Sequence, residues 1–141
     1  MKKILVSACL LGKNVKYNGG NNHNDLVVSL SKDYEIIPIC PEMDGGLSCP
    51  RCPSEIIGNK VINKVGKDVT NEFVLGANKA LKIAKENNPE FIVLKENSPS
   101  CGVNYIYDGT FTSNKIKGQG VTTKLLKENG FKIISENELV K

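Results

Sequence analysis

Three short apolar runs in this chain each lead into a cysteine, and that repetition restricts the fold more than any other feature of the sequence. Ile4–Ser7 precedes Cys9, Glu35–Ile39 precedes Cys40, and Glu90–Leu94 leads into the loop Ser98-Pro99-Ser100-Cys101-Gly102. Ile4–Ser7 has no charge on either face, the pattern of a strand buried on both sides of a parallel sheet. Helical periodicity separates the runs. Asn24–Lys32 puts Leu26, Val27 and Leu30 on one face. Thr70 reads as the N-cap of a helix through Asn87, with Phe73, Val74, Ala77, Leu81 and Ala84 at helical spacing and Pro89 past its end. A helix over Val121–Asn129, a strand over Lys132–Ile134 and a capping box Ser135-x-x-Glu138 follow. Lys60–Val65 reads as an edge strand. Pro41–Pro53, with Gly45-Gly46 and prolines at both ends, reads as a shaped loop without a regular element.

Strands alternating with helices predict an α/β fold: a single three-layer domain over 1–141, flavodoxin- or Rossmann-like, with a mostly parallel sheet of about four to five strands. Such sheets bind ligands beyond the carboxyl ends of their strands, where the three cysteines fall. With a flavodoxin-like order of 2-1-3, strands ~4.8 Å apart bring the three loops within about 10 Å of one another.

A chain of 141 residues is large enough to bury a core without disulfides. No apolar run approaches the ~20 residues of a membrane helix. Lys2-Lys3 followed by Ile4–Cys9 imitates a lipoprotein signal, but the apolar stretch falls short of the roughly 7–15 residues such a signal needs. The expected location is therefore the cytoplasm, where five cysteines stay reduced and ligand or catalytic roles outrank disulfides. A net charge of +4, spread along lysine-rich stretches, argues only weakly for nucleic acid. Oligomeric state is left open.

Arg51 is the only arginine among 19 basic residues, which marks it for chemistry or packing that needs a planar guanidinium. Cys49-x-x-Cys52 reads as half a zinc site, a redox pair or an accident of a cysteine-rich loop. A closed zinc site could use Cys40, Cys49, Cys52 and one more thiolate. Cys9, Cys40 and Cys101, dispersed over three strand ends, fit instead a four-iron cluster with one iron free to act as a Lewis acid. Glu42, Glu55, Ser98 and Ser100 sit beside these cysteines and offer acid/base or hydrogen-bonding groups. His23, the single histidine, reads as a surface or capping residue. Dinucleotide and P-loop signatures are absent.

The ordered set Ser7-Ala8-Cys9-Leu10-Leu11-Gly12, Tyr17-Asn18-Gly19, Cys40-Pro41-Glu42, Gly45-Gly46-Leu47, Pro50-Arg51, Gly66-x-Asp68-Val69-Thr70, Ser98–Gly102, Asp108-Gly109-Thr110-Phe111 and Gly118-x-Gly120-Val121 closely resembles the family known as domain of unknown function 523. That family includes thiouracil desulfidases, in which three cysteines hold a [4Fe-4S] cluster whose unligated iron takes sulfur from a thiocarbonyl base without net redox chemistry. The resemblance implies Cys9, Cys40 and Cys101 as cluster ligands, Glu42 as acid/base and Ser98 as a second catalytic or orienting group, acting on a small thio-base. Arg51 and Ser100 are expected to contact substrate. Cys49 and Cys52 depart from the family pattern, and either could close the fourth iron. That would favour the rival reading, a non-catalytic zinc or iron–sulfur sensor or a sulfur-trafficking module. Lys16 stands where the family often has arginine.

Overall fold

The structure, a computed structural model, describes residues 1–139. Its centre is a four-stranded parallel sheet of β1 (Lys2–Ser7), β2 (Tyr34–Ile39), β5 (Ile92–Leu94) and β8 (Ile133–Ser135), in the spatial order β2-β1-β5-β8. This continues the predicted 2-1-3 order with the last strand outermost. The paired residues run Lys2↔Tyr34 to Ser7↔Ile39 on one side of β1, and Leu5↔Ile92 and Val6↔Val93 on the other. The carboxyl ends of the first three strands are therefore nearly level, and the chain switches sides of β1 between β2 and β5, where open α/β sheets form their ligand crevice.

Alternation along β1 divides the core between the two faces. Leu5 packs with Ile92, Leu94, Ala80, Ala84 and Leu126 against helices α3 (Thr70–Asn87) and α4 (Val121–Glu128). Ile4 and Val6 pack with Val27 and Val93 against the short helix α1 (Asp25–Ser29). Ile4, Leu5 and Val6 are fully buried, and each contributes roughly 1.5–3 kcal/mol to the hydrophobic term. No helix among the described residues is long and apolar enough to cross a membrane.

Several local expectations are corrected. Thr70 is the first residue of α3 rather than its N-cap, which is Val69. Its Oγ1 accepts from the Val61 amide, and its own N–H is taken by Asp68. Lys60–Val65 is not an edge of the main sheet: β4 (Lys60–Asn63) pairs antiparallel with β3 (Ser54–Ile57) in a separate hairpin turned by Gly58-Asn59. A second hairpin, β6 (Tyr105–Tyr107) with β7 (Lys115–Lys117), was not anticipated. Along α3 the buried residues are Phe73, Gly76, Ala77, Ala80 and Ala84, while Val74 is exposed.

Pro41–Pro53 contains a regular element after all, the one-turn helix α2 (Pro41–Asp44), with Cys40 as N-cap and Pro41 in the first turn, where its missing N–H costs nothing. Two glycines allow α2 to lie directly on α3. A Cβ at Gly76 would fall 2.7 Å from the Pro41 carbonyl carbon, and one at Gly45 2.9 Å from that of Glu72. Gly76→Ala should therefore destabilise the fold by about 1–3 kcal/mol through overpacking, although alanine is the better helix former. Denaturant unfolding checks this; an unchanged midpoint would show that α2 can lift away freely.

Candidate active site at the strand ends

Cys9 lies in a 3₁₀ turn, Ala8–Leu11, that begins where β1 ends. Its carbonyl accepts from Gly12 at 3.2 Å and Asn22 at 2.9 Å, so the turn is tied to the asparagine-rich loop. Gly12 adopts φ +87, which lets the chain reverse straight after the turn. Cys40 follows β2, and its carbonyl accepts from Asp44. The loop carrying Cys101 is held from three sides. Ser98 Oγ accepts from the backbone N–H groups of Ser100 at 3.1 Å and Cys101 at 3.0 Å. Thr123 Oγ1 donates to the Cys101 carbonyl at 2.9 Å. Glu96 anchors the segment that follows: Oε1 accepts from the amides of Val103, Asn104 and Tyr105, and Oε2 from the Asn104 side chain. Burial alone would push Glu96 up, but these donors together hold it below the usual carboxylate range. Ser7 Oγ accepts from Lys95, joining the ends of β1 and β5.

These turns surround one cavity of about 430 Å³, within the range of roughly 300–1,000 Å³ usual for small-molecule sites. Cys9, Cys40, Cys101, Glu42 and Ser98 all line it. Glu42 is gripped at both oxygens: Arg51 Nε donates to Oε1 at 3.2 Å, and the Ser98 hydroxyl donates to Oε2 at 3.3 Å. Lys95, on the same wall, is paired with Glu136 at 3.0 Å.

The remaining sequence-predicted residues divide. Arg51 is not on the cavity wall. Its side chain is 7% exposed, and beyond Glu42 it donates from Nη1 to Ser48 O at 3.1 Å and from Nη2 to Val15 O at 2.9 Å. Three acceptors set around one plane are what a guanidinium serves and an ammonium does not. Expected to contact substrate, Arg51 is here a strut behind Glu42, off the cavity wall. Ser100, also expected to contact substrate, is fully buried with its hydroxyl 2.8 Å from Thr122 Oγ1. Cys49 and Cys52 also lie off the wall, Cys49 Sγ donating to the Asn14 and Lys16 carbonyls. His23 sits outside the cavity, its Nε2 2.9 Å from Asp25 Oδ1. Glu96 and Tyr107 are wall residues that the sequence reading passed over, and Phe111, which closes the Asp108-Gly109-Thr110-Phe111 motif, is one to which it gave no role. The carboxylate of Glu96, just past a buried strand and ahead of a proline–glycine loop, was the readable signal among them.

The donor set distinguishes among metals. All five cysteines are free thiols. Burial pushes the Cys9 and Cys40 thiols up, and drives Cys101 furthest above its ordinary value. A bound cation would reverse that preference and release their protons. Tetrahedral zinc needs four donors with sulfurs about 3.8 Å apart at its usual bond length. Among the described residues, no three histidine, cysteine, aspartate or glutamate side chains converge tightly enough to hold a single ion. Thiols spread around a cavity, with no fourth thiol on its wall, fit a multi-iron cluster whose corners lie apart.

Comparison with known proteins agrees with this geometry. The profile of the 2-thiouracil desulfurase family matches residues 4–138. The uncharacterized protein YbbK of Bacillus subtilis (strain 168) is 46% identical over 146 residues, covering 96% of this chain and 97% of its own. The solved structure of the [4Fe-4S]-dependent thiouracil desulfidase TudS superposes with a TM-score of 0.93 at 41% identity, covering 99% of this chain and 93% of that one.

Proposed function

We propose, from the premise that the chain belongs to the 2-thiouracil desulfurase family, that it is a [4Fe-4S]-dependent desulfidase replacing the sulfur of a thiolated pyrimidine such as 2-thiouracil with oxygen from water. The observation that carries the reading is the Glu42–Ser98 hydrogen bond on the wall that also bears three thiols and no fourth. Cys9, Cys40 and Cys101 would hold the cluster, which when bound supplies an iron without a protein ligand as Lewis acid for the thiocarbonyl sulfur.

The exchange consumes one thione and one water and gives one oxo compound and one hydrogen sulfide, so no electrons are needed. The residues of the chain manage position and protons. Arg51 and Ser98 fix the Glu42 carboxylate in one orientation. Glu42 takes a proton from the water as its oxygen attacks the thiocarbonyl carbon, and returns it as the C–S bond breaks. Ser98, its oxygen held by two backbone N–H groups and its one proton given to Glu42, orients that carboxylate toward the attacking water. Lys95, paired with Glu136, places an ammonium near Cys9 on the same wall. The reading includes a cytoplasmic location, where the thiols stay reduced.

Anaerobically reconstituted protein incubated with 2-thiouracil and no reductant is expected to release uracil and sulfide one for one. Iron-loaded protein that yields neither would overturn the reading.

A further inference from the structure

Part of the cavity wall comes from the loop between β6 and β7, and its backbone is unusual. Phe111 adopts φ 57 and Ser113 φ 64, left-handed conformations that glycine takes freely and that are rare for a bulky side chain. A glycine at 111 would relieve the backbone, yet the chain has a half-buried aromatic residue there, on the cavity wall. The loop is held in place from below. Glu55, a β3 carboxylate only 8% exposed, accepts from the amides of Gly109 at 2.9 Å and Phe111 at 3.2 Å. Gly109 lies so close to the hairpin that a Cβ there would meet Ile56 O at 2.9 Å. Asp108 Oδ1 accepts from the Thr110 amide at 3.0 Å and fastens the loop's start. Tyr17 and Tyr107 also line the cavity.

A rigidly held aromatic side chain in an unfavourable backbone conformation is a feature of ligand clamps rather than of packing. We infer that Phe111 determines specificity: its ring is the stacking face for the planar heteroaromatic ring of the substrate, so that thiones of flat bases are selected over aliphatic thioamides of similar reactivity. This rests on the desulfidase reading and adds to it the side chain that selects a flat base. Every base has a π-face, so stacking here favours planarity without choosing among flat bases, and the hydrogen-bonding groups of the wall make that choice.

The test compares wild-type holoenzyme with Phe111→Leu, Phe111→Tyr and Phe111→Gly, measuring equilibrium binding of uracil and 2-thiouracil together with KM, kcat, iron content and thermal midpoint. Phe111→Leu should weaken binding of both bases and raise the KM for 2-thiouracil by roughly ten- to hundredfold, the range of base–aromatic stacking, with kcat and iron content changed much less. Phe111→Tyr should bind as wild type. Phe111→Gly should melt no lower than Phe111→Leu, because its backbone is relieved, and bind no better. A purely structural Phe111 would instead lower the midpoint and leave the affinity of the folded fraction intact. Wild-type affinity and KM in Phe111→Leu would overturn the inference. A wild type that binds bases but releases no sulfide would overturn the desulfidase reading alone, since the binding comparison still reports on Phe111.

Discussion

Replacing Cys9, Cys40 or Cys101 with serine is expected to drop bound iron well below the four per chain of a [4Fe-4S] cluster and to abolish desulfuration. Each thiol is the only one its strand end places on the shared cavity, and no other cysteine lines the wall to replace it. The loss should exceed about 10³-fold, because the Lewis acid contributes several kcal/mol to the transition state and each 1.36 kcal/mol is a factor of ten. Cys101, 6% exposed and part of the apolar core, should also lose about 1–3 kcal/mol of stability on gaining a buried hydroxyl. Far-UV circular dichroism on the metal-free proteins separates that cost from the loss of iron. Serine at Cys49 or Cys52 supplies the contrast: iron content and turnover should match wild type. At position 49 the hydroxyl can still donate to the Asn14 or Lys16 carbonyl. Full iron loading in Cys9→Ser, or a missing iron in Cys49→Ser, would reassign the ligands.

Glu42→Gln should keep the cluster and lose turnover, with kcat lower by about 10²–10⁴-fold, the usual contribution of a positioned acid/base. Glutamine preserves the shape of the side chain and its carbonyl can accept from Arg51, but it takes no proton from water. The Arg51 guanidinium is then left without an anion, so the variant should also lose about 1–3 kcal/mol of stability. With Glu42 itself 19% exposed, water makes good part of that loss. Iron content and 2-thiouracil binding are the decisive controls. Both should survive the substitution, and wild-type turnover would remove Glu42 from proton transfer.

How much of this was legible beforehand depended on the range of the interactions involved. The three strand ends could be read because buried parallel strands are short, apolar and uncharged, and Ile4–Ser7 has no solvent face to mislead. The rules for α/β sheets placed the three cysteines at one edge, and the flavodoxin-like order, one of the two they allow, is the order that brings Cys9, Cys40 and Cys101 together. The two hairpins were missed for opposite reasons. In β3–β4 the Gly58-Asn59 turn is a recognisable two-residue hairpin signal that the reading did not use. In β6–β7 the strands are three residues each, and Lys115–Lys117 is exposed throughout, so neither alternation nor apolarity marks it. One-turn helix α2 was hidden in a proline- and glycine-rich segment, where composition suggests loop.

For the site, residue type was more readable than orientation. Arg51 was singled out because it is the one arginine, yet its partners span Val15 to Ser48, and no local pattern shows that it faces Glu42 rather than a ligand. Ser98 and Ser100 are two residues apart in the same loop. Only the packing of α4 on that loop, where a Cβ at Gly120 would meet the first backbone amide after Ser100 at 2.7 Å, turns Ser100 inward to Thr122 and leaves Ser98 on the cavity. The wall position of Phe111 depends on Glu55, more than fifty residues away, so tertiary structure alone reveals it.

The most direct test of the central claim, hydrolytic exchange of sulfur for oxygen at an open cluster, is turnover of 2-thiouracil in ¹⁸O-enriched water by the anaerobic, iron-loaded protein without reductant. Uracil should carry one solvent-derived ¹⁸O for each sulfide released. Sulfide release that requires an electron donor, or uracil without the label, would contradict the claim.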